Sequence, residues 1–114
     1  EVITRRDELF DRYKSSEDFI QKYIFPGGFL PSMEFMTNLI EKNKLKLLKV
    51  NSYPDDYAKT LAIWRENFFK TWNNITPLGF DETFKRMWEF YLSYCEAGFR
   101  SRNINLIQCS MSNK

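Results

Sequence analysis

The sequence contains no histidine and only two cysteines. The absence of histidine removes the commonest general base and the commonest metal ligand. Two cysteines are present, Cys95 and Cys109, and their spacing is neither that of a metal site nor that of a disulfide framework. We therefore expect reduced thiols and no metal. Any catalytic group within the chain must be a carboxylate, a tyrosine, a cysteine or a lysine.

Long apolar runs and a one-sided charge are missing as well. No stretch approaches the ~20 apolar residues of a membrane span, and the N-terminus has no signal-peptide pattern. Lysine and arginine total 17 against 15 acidic residues, so no basic tract predicts nucleic-acid binding. Residues 1–4 begin without methionine, and we expect that they continue a longer protein.

Aromatic side chains are the abundant feature, at 18% of the 114 residues. This density excludes a disordered chain, and the length sets one domain as the upper limit. The apolar residues recur at helical spacing in most segments and alternate in two others. The pattern predicts helices over 7–14, 18–25, 32–40, 55–73 and 81–100, strands over 44–50 and 103–110, and a loop over 74–79.

The two predicted strands differ in character. Lysines alternate through residues 44–50, which suits a strand at a sheet edge, whereas residues 103–110 are apolar enough to expect neighbours on both sides. A two-stranded sheet is marginal alone, and the helices carry more apolar surface than two strands can cover. We infer that the chain is the end of a larger α/β protein with helices inserted between its last strands.

Several features invite a chemical interpretation, and each has a structural alternative. Gly27-Gly28 is not followed by the Lys-Ser/Thr of a nucleotide loop, so a tight turn is favoured. Cys95 lies on the apolar side of its helix, which favours a buried, inert thiol. Tyr57 follows two aspartates at a helix start, where its hydroxyl could face a cavity while its ring packs. The aromatic stripes are core, or they line a lipid pocket.

Three segments in order, DFIQKYIFPGGFLPS, DDYAKTLAIWRENF and FKRMWEFYLSYCEAGFRSRNINLIQ, resemble the C-terminal part of cyclopropane-fatty-acid synthases. These enzymes and the mycolic acid cyclopropane synthases are S-adenosylmethionine-dependent methyltransferases. The resemblance covers nearly the whole chain. It implies an enzyme that methylates or cyclopropanates the cis double bond of unsaturated phospholipid acyl chains.

The resemblance implies the C-terminal part of a seven-stranded, Rossmann-like methyltransferase fold, mostly helical with two or three strands. Residues 3–4 would end the fifth strand, 45–50 would form the sixth, and 104–109 would form the last, inserted antiparallel. Residues 1–114 would be one segment of the methyltransferase domain. Within it, 7–43 would form inserted helices over the acyl-chain and cofactor site, and 44–114 the last two strands and two long helices.

Site residues follow from the same resemblance. Tyr57 matches a tyrosine that holds bicarbonate, the acceptor of the proton that is lost as the ring closes. Phe25 matches an aromatic near the cofactor's sulfonium and the acyl chain, and Cys95 matches a cysteine that borders this pocket. The stiff loop would place Gly28, Phe29 and Leu30 against cofactor and lipid. A cation forming in an apolar tunnel needs aromatic faces and a fixed anion rather than a protein nucleophile.

The family's glycine-rich cofactor loop, ribose carboxylate and other bicarbonate ligands do not occur in the sequence, and we expect them N-terminal to Glu1. We therefore expect this chain alone to be inactive and to bind no S-adenosylmethionine. The implied location is cytoplasmic and peripheral at the membrane, and unpaired strand edges favour a homo-oligomer. The alternatives are a non-catalytic acyl-chain-binding module and a helical interaction module. The sequence does not separate ring, methyl-branch and hydroxyl products.

Overall fold

The last strand of the chain lies in the middle of a three-stranded sheet. The computed structural model describes residues 1–114, with strands β1 (Val2–Arg5), β2 (Leu45–Ser52) and β3 (Ile104–Asn113) in the order β1-β3-β2. Both neighbours pair antiparallel with β3, with Ile3 opposite Leu106 and Val50 opposite Cys109. The expectations of a final strand inserted antiparallel between two others, and of an edge strand at 44–50, are confirmed.

The chain contains five α-helices: α1 (Asp7–Lys14), α2 (Met33–Lys42), α3 (Pro54–Lys70), α4 (Trp72–Ile75) and α5 (Glu82–Arg100). Two of them begin at side-chain caps. Ser32 Oγ accepts a hydrogen bond from the Phe35 amide at 3.0 Å, and Asp81 Oδ1 accepts one from the Phe84 amide at 2.9 Å. Each cap satisfies a backbone donor that a helix start leaves free.

The segment predicted as a helix over 18–25 is a π-helix over Ile20–Ile24. Asp18 lies before it as a cap: its carboxylate accepts from the Gln21 amide at 2.9 Å, and the Gln21 side-chain oxygen accepts from the Asp18 amide at 3.0 Å. The Phe25 amide then donates to the Ile20 carbonyl, five residues back, at 2.8 Å. This wider turn directs the chain into the following loop.

The region after α3 also differs from the prediction. α3 ends at Lys70, and the segment predicted as a loop over 74–79 contains α4 and a 3₁₀ turn over Thr76–Leu78. Pro77 is tolerated there because the first residues of a helix do not need their amide hydrogens. Gly79, at φ 97°, ends the turn in the left-handed region.

The core lies where α3 and α5 pack together against the sheet. Its buried cluster consists of Ala58, Leu61, Leu92, Cys95, Phe99 and Ile104. Only 13 of 114 residues are buried, and many large aromatic and aliphatic side chains stay exposed. The helices thus present more apolar surface than this sheet covers. No helix combines the length and the apolar character needed to span a membrane.

Candidate functional site

A cavity of about 530 Å³ lies between the α3–α5 pair and the loop that follows the π-helix. We call it the pocket. Of its 21 lining residues 14 are hydrophobic, and its size is typical of a site for a small organic ligand. All six candidate site residues line it: Phe25, Gly28, Phe29, Leu30, Tyr57 and Cys95. The structure therefore brings these residues together around one space, while their individual roles stay predictions.

The loop on one side of the pocket depends on two glycines. Gly27 has φ +79°, in the left-handed region where a side chain is strained. At Gly28 a Cβ atom would lie 2.9 Å from the Phe25 carbonyl oxygen, which accepts a hydrogen bond from the Gly28 amide at 2.9 Å. The predicted tight turn is confirmed. It leaves the Phe25 ring edge-to-face with the Tyr91 ring of α5, at 6.2 Å between centroids.

Side chains from the preceding elements hold this loop in place. The Gln21 side-chain amide donates to the Gly28 carbonyl at 3.1 Å, and the Tyr13 hydroxyl accepts from the Leu30 amide at 3.0 Å. The Phe29 ring packs against the Tyr13 ring at 5.7 Å. Because each of these residues also lines the pocket, the bonds fix the shape of its wall.

Three side chains on the wall of the pocket formed by α3 and α5, the helical wall, lie in an apolar environment that keeps them neutral. Burial raises the pKa of the Cys95 thiol to about 12 and that of the Tyr91 hydroxyl to about 12. Burial, and then the neighbouring Cys95, also raises the pKa of the Tyr57 hydroxyl. At neutral pH all three therefore carry their protons. They can donate hydrogen bonds to an oxygen atom, but Cys95 is not prepared as a nucleophile.

Two aromatic neighbours hold the Tyr57 ring in place. It packs against the Phe99 ring at 4.7 Å between centroids and meets the Trp64 ring edge-to-face at 6.0 Å. Tyr57 lies in the first turn of α3, where its amide donates to the Tyr53 carbonyl at 3.2 Å. The ring is thus anchored by its neighbours, and its hydroxyl has no hydrogen-bond partner among the side-chain bonds of the chain.

The lining residues that the sequence reasoning missed include Arg5, Asp18, Gln21 and Tyr91. Tyr91 could have been found, because it lies one helical turn before Cys95 and so shares its face. The other three come from β1 and from the segment around the π-helix, and their convergence depends on the tertiary fold. No group of three or more metal-ligating side chains occurs.

Comparison with known proteins places the chain in one family. Residues 1–109 match the family model of mycolic acid cyclopropane synthetase. Tuberculostearic acid methyltransferase UfaA1 of Mycobacterium tuberculosis is 42% identical over 99 residues, 86% of this chain and 23% of that protein. Cyclopropane-fatty-acyl-phospholipid synthase of Escherichia coli K12 is 36% identical over 96 residues, 84% of this chain and 25% of that protein.

Solved structures agree on the fold. Mycolic acid cyclopropane synthase CmaA1, described as complexed with SAH and CTAB, superposes with a TM-score of 0.82 at 26% identity, covering 99% of this chain and 42% of that one. Cyclopropane synthase MmaA2 of Mycobacterium tuberculosis gives a TM-score of 0.81 at 25% identity, covering 96% and 41%.

The chain thus spans about a quarter of the length of these two curated relatives. The expected fold class, part of a methyltransferase fold, is confirmed. This chain belongs to the mycolic acid cyclopropane synthetase family.

Proposed function

We propose that this chain forms the acyl-chain side of the active site of an S-adenosylmethionine-dependent methyltransferase. The substrate is the cis double bond of an unsaturated phospholipid acyl chain, which the enzyme methylates or cyclopropanates. The observation that carries the proposal is the apolar pocket of about 530 Å³, around which all six candidate residues converge. The protein meets its lipid at the cytoplasmic face of a membrane, as a peripheral protein.

The pocket lining suits a hydrocarbon chain. Leu61, Phe99 and Ile104 are buried residues of the core that also line it. Transfer of a methylene group from water to such surroundings is favourable by about 0.8 kcal/mol. An acyl chain of several methylenes therefore gains enough to be drawn into the pocket without a charged anchor at every point.

The aromatic wall suits the positive charge that methyl transfer creates on the acyl chain. The Phe25 and Tyr91 rings lie edge-to-face at 6.2 Å and both line the pocket, and the faces of such rings attract a cation. The protonated Cys95 thiol has little tendency to trap that cation, since burial raises its pKa to about 12. The aromatic rings thus favour a carbocation, and the neutral Cys95 thiol beside them does not capture it.

Tyr57 is the residue that we assign to bicarbonate. Bicarbonate, when bound, supplies the base for the proton that is lost as the ring closes. The Tyr57 hydroxyl stays protonated because burial raises its pKa, so it donates a hydrogen bond to an anionic oxygen. Its packing on Phe99 at 4.7 Å fixes the direction of that bond.

The residues of this chain fit the reacting end of the cofactor. S-adenosylmethionine, when bound, supplies the methyl group from its sulfonium centre. The rings of Phe25 and Tyr91 offer aromatic faces to such a cation, and Gly28, where a Cβ would lie 2.9 Å from the Phe25 carbonyl oxygen, lets the chain turn tightly beside them. Phe25 and Gly28 would therefore hold the sulfonium side.

A chimera tests the proposal. The matching segment of the Escherichia coli synthase is replaced by this chain, and the chimera is expressed in cells that lack their own synthase. Gas chromatography of the lipid acyl chains should show cyclopropane or methyl-branched products. The matched control carries Tyr57→Phe in the same chimera and should give much less product. Soluble chimera without either product would contradict the proposal, and would leave the acyl-chain-binding module as the interpretation if the isolated chain still binds fatty acid.

A further inference from the structure

One pair of charged side chains lines the pocket, and the proposed function does not yet use it. Arg5 and Asp18 are the only charged residues among those that line the pocket. Arg5 Nη2 lies 3.8 Å from Asp18 Oδ2, and the two side chains are 16% and 20% exposed. A pair this far from water is costly to place in an apolar wall unless its remaining donors and acceptors find partners.

Arg5 is held in a defined position. It is the last residue of β1, and its amide donates to the Pro31 carbonyl at 2.9 Å. Its guanidinium carbon lies 4.3 Å from the centre of the Tyr13 ring. Because Tyr13 and Asp18 contact this side chain and the Pro31 bond fixes its backbone, a ligand would pay little to order it.

One N–H group of the Arg5 guanidinium has no hydrogen-bond acceptor. Arg5 Nε is buried and has no hydrogen-bond acceptor within the chain. A guanidinium offers five N–H donors and no acceptor, and an unmade hydrogen bond at a buried charged group is expensive. Arg5 lines the pocket, so a small turn of the guanidinium would bring this N–H to an oxygen atom of a bound molecule and remove that cost.

The charge around Arg5 indicates which class of ligand oxygen can bind there. The Asp18 carboxylate beside Arg5 cancels its charge, so this part of the pocket does not attract a multiply charged phosphate. An acyl oxygen is the group that accompanies a hydrocarbon chain into such a pocket. We propose that Arg5 Nε donates a hydrogen bond to the acyl oxygen of the bound chain, as ester or as carboxylate. Arg5 thereby selects acylated chains over plain hydrocarbons. This inference rests on the proposed function and adds the recognition of the polar end of the substrate.

Three ligands that differ only at that end test the inference on the full chain. They are 9,10-dibromooctadecanoic acid, its methyl ester and 9,10-dibromooctadecane, and each is titrated while bromine quenching of tryptophan fluorescence is followed. A hydrogen bond to a charged donor corresponds to about a tenfold or larger gain in affinity. The acid, the ester or both should therefore bind at least about tenfold more tightly than the hydrocarbon.

The variant Arg5→Met/Asp18→Asn removes the donor and the partner charge together, so that no lone charge stays buried. The advantage of the oxygenated ligands should disappear in it, while hydrocarbon binding stays within about twofold. Asp18→Asn alone is the matched control and should keep the advantage, because Arg5 remains. Loss of the advantage for the acid alone assigns the oxygen to a free fatty acid, and loss for the ester assigns it to an esterified lipid.

Equal affinity of the three ligands in the parent chain overturns the inference and leaves the proposed function standing. An advantage that persists in the double variant also overturns it. If none of the three ligands binds the parent chain, both the inference and the acyl-chain pocket are wrong. Circular dichroism of each variant confirms that the affinities refer to folded protein.

Discussion

The two walls of the pocket have similar compositions but are held in place by different forces. The helical wall, from α3 and α5, is rich in aromatic and aliphatic residues, and its members Leu61 and Phe99 are each 1% exposed. The loop wall is also aromatic, yet Phe25 is 56% and Phe29 46% exposed. The loop wall is instead held in place by hydrogen bonds of Gln21 and other side chains. Aromatic content alone therefore does not tell which wall is core.

This difference bears on how each wall responds to change. Burial is spread over many contacts, so damage to the helical wall lowers the stability of the whole chain. The loop depends on a few directional bonds, so the loss of one of them should be felt locally. A rigid helical wall and a loop wall that depends on single hydrogen bonds suit the acyl-chain site that we propose.

The largest expected effect is on the helical wall. Phe99→Ala removes a ring that is 1% exposed and should lower the free energy of unfolding by about 3–5 kcal/mol, because a cavity is left in the core. Urea denaturation followed by circular dichroism measures this. Phe90→Ala on the same helix is the matched control, since Phe90 is 51% exposed, and should cost less than about 1 kcal/mol. Equal losses for both variants would show that burial is not what makes Phe99 stabilise the helical wall.

The pH dependence of stability tests the same wall. The pKa of Cys95 rises from 9.0 to about 12 because burial disfavours the thiolate. Folding is therefore unaffected by this thiol below pH 9. Between pH 9 and 12 the unfolded chain ionises first, and stability falls by at most about 4 kcal/mol. Urea denaturation from pH 8 to 11 should show a shallower decline in Cys95→Ala than in the parent.

Ionisation of Tyr91 also lowers the free energy of unfolding at high pH, because its pKa rises from 10.0 to about 12 on folding. Some decline of stability with pH should therefore persist in the Cys95→Ala variant. Cys109→Ala is the control, because Cys109 lies on β3 outside the pocket lining. It should follow the parent. A decline in Cys95→Ala as steep as that in the parent would show that the thiol is not shielded.

Tyr57→Phe separates chemistry from packing. Deletion of the hydroxyl should reduce product formation by the chimera about ten- to hundredfold, since a hydrogen bond to an anion is worth about 1.5–3 kcal/mol. The melting temperature should change little, because the ring still packs on Phe99. Tyr53→Phe is the matched control and should keep full activity, since Tyr53 is not among the pocket-lining residues. Activity of Tyr57→Phe within twofold of the parent would remove Tyr57 from the site.

The smallest effect is expected on the loop wall. Tyr13→Phe removes the acceptor of the 3.0 Å bond from the Leu30 amide and should cost about 1 kcal/mol. Hydrogen exchange followed by NMR should show a faster Leu30 amide, while amides in the middle of α5 stay unchanged. Tyr23→Phe is the control, because Tyr23 is 54% exposed. Faster exchange throughout α5 would mean that the two walls unfold together.

Much of the secondary structure was predictable because its signals are local. Ser32 and Asp81 cap their helices through bonds to amides only three residues away, and these bonds need no tertiary contact. The helix after Asp18 was only partly predictable, since its apolar spacing does not distinguish an α-turn from a π-turn. The helical turns after α3 were missed because Pro77 and Gly79 were interpreted as loop residues.

The sequence by itself determined where the capped helices α2 and α5 start, the insertion of the last strand by family resemblance, and six of the residues that line the pocket. The tertiary structure alone decided that Arg5 and Asp18 meet in the wall of that pocket, at 3.8 Å, and that Tyr91 faces Phe25 at 6.2 Å. The physical reason is the distance along the chain between the residues that interact. Caps and turns depend on bonds between near neighbours in the chain, whereas a pocket depends on the way separate elements approach one another.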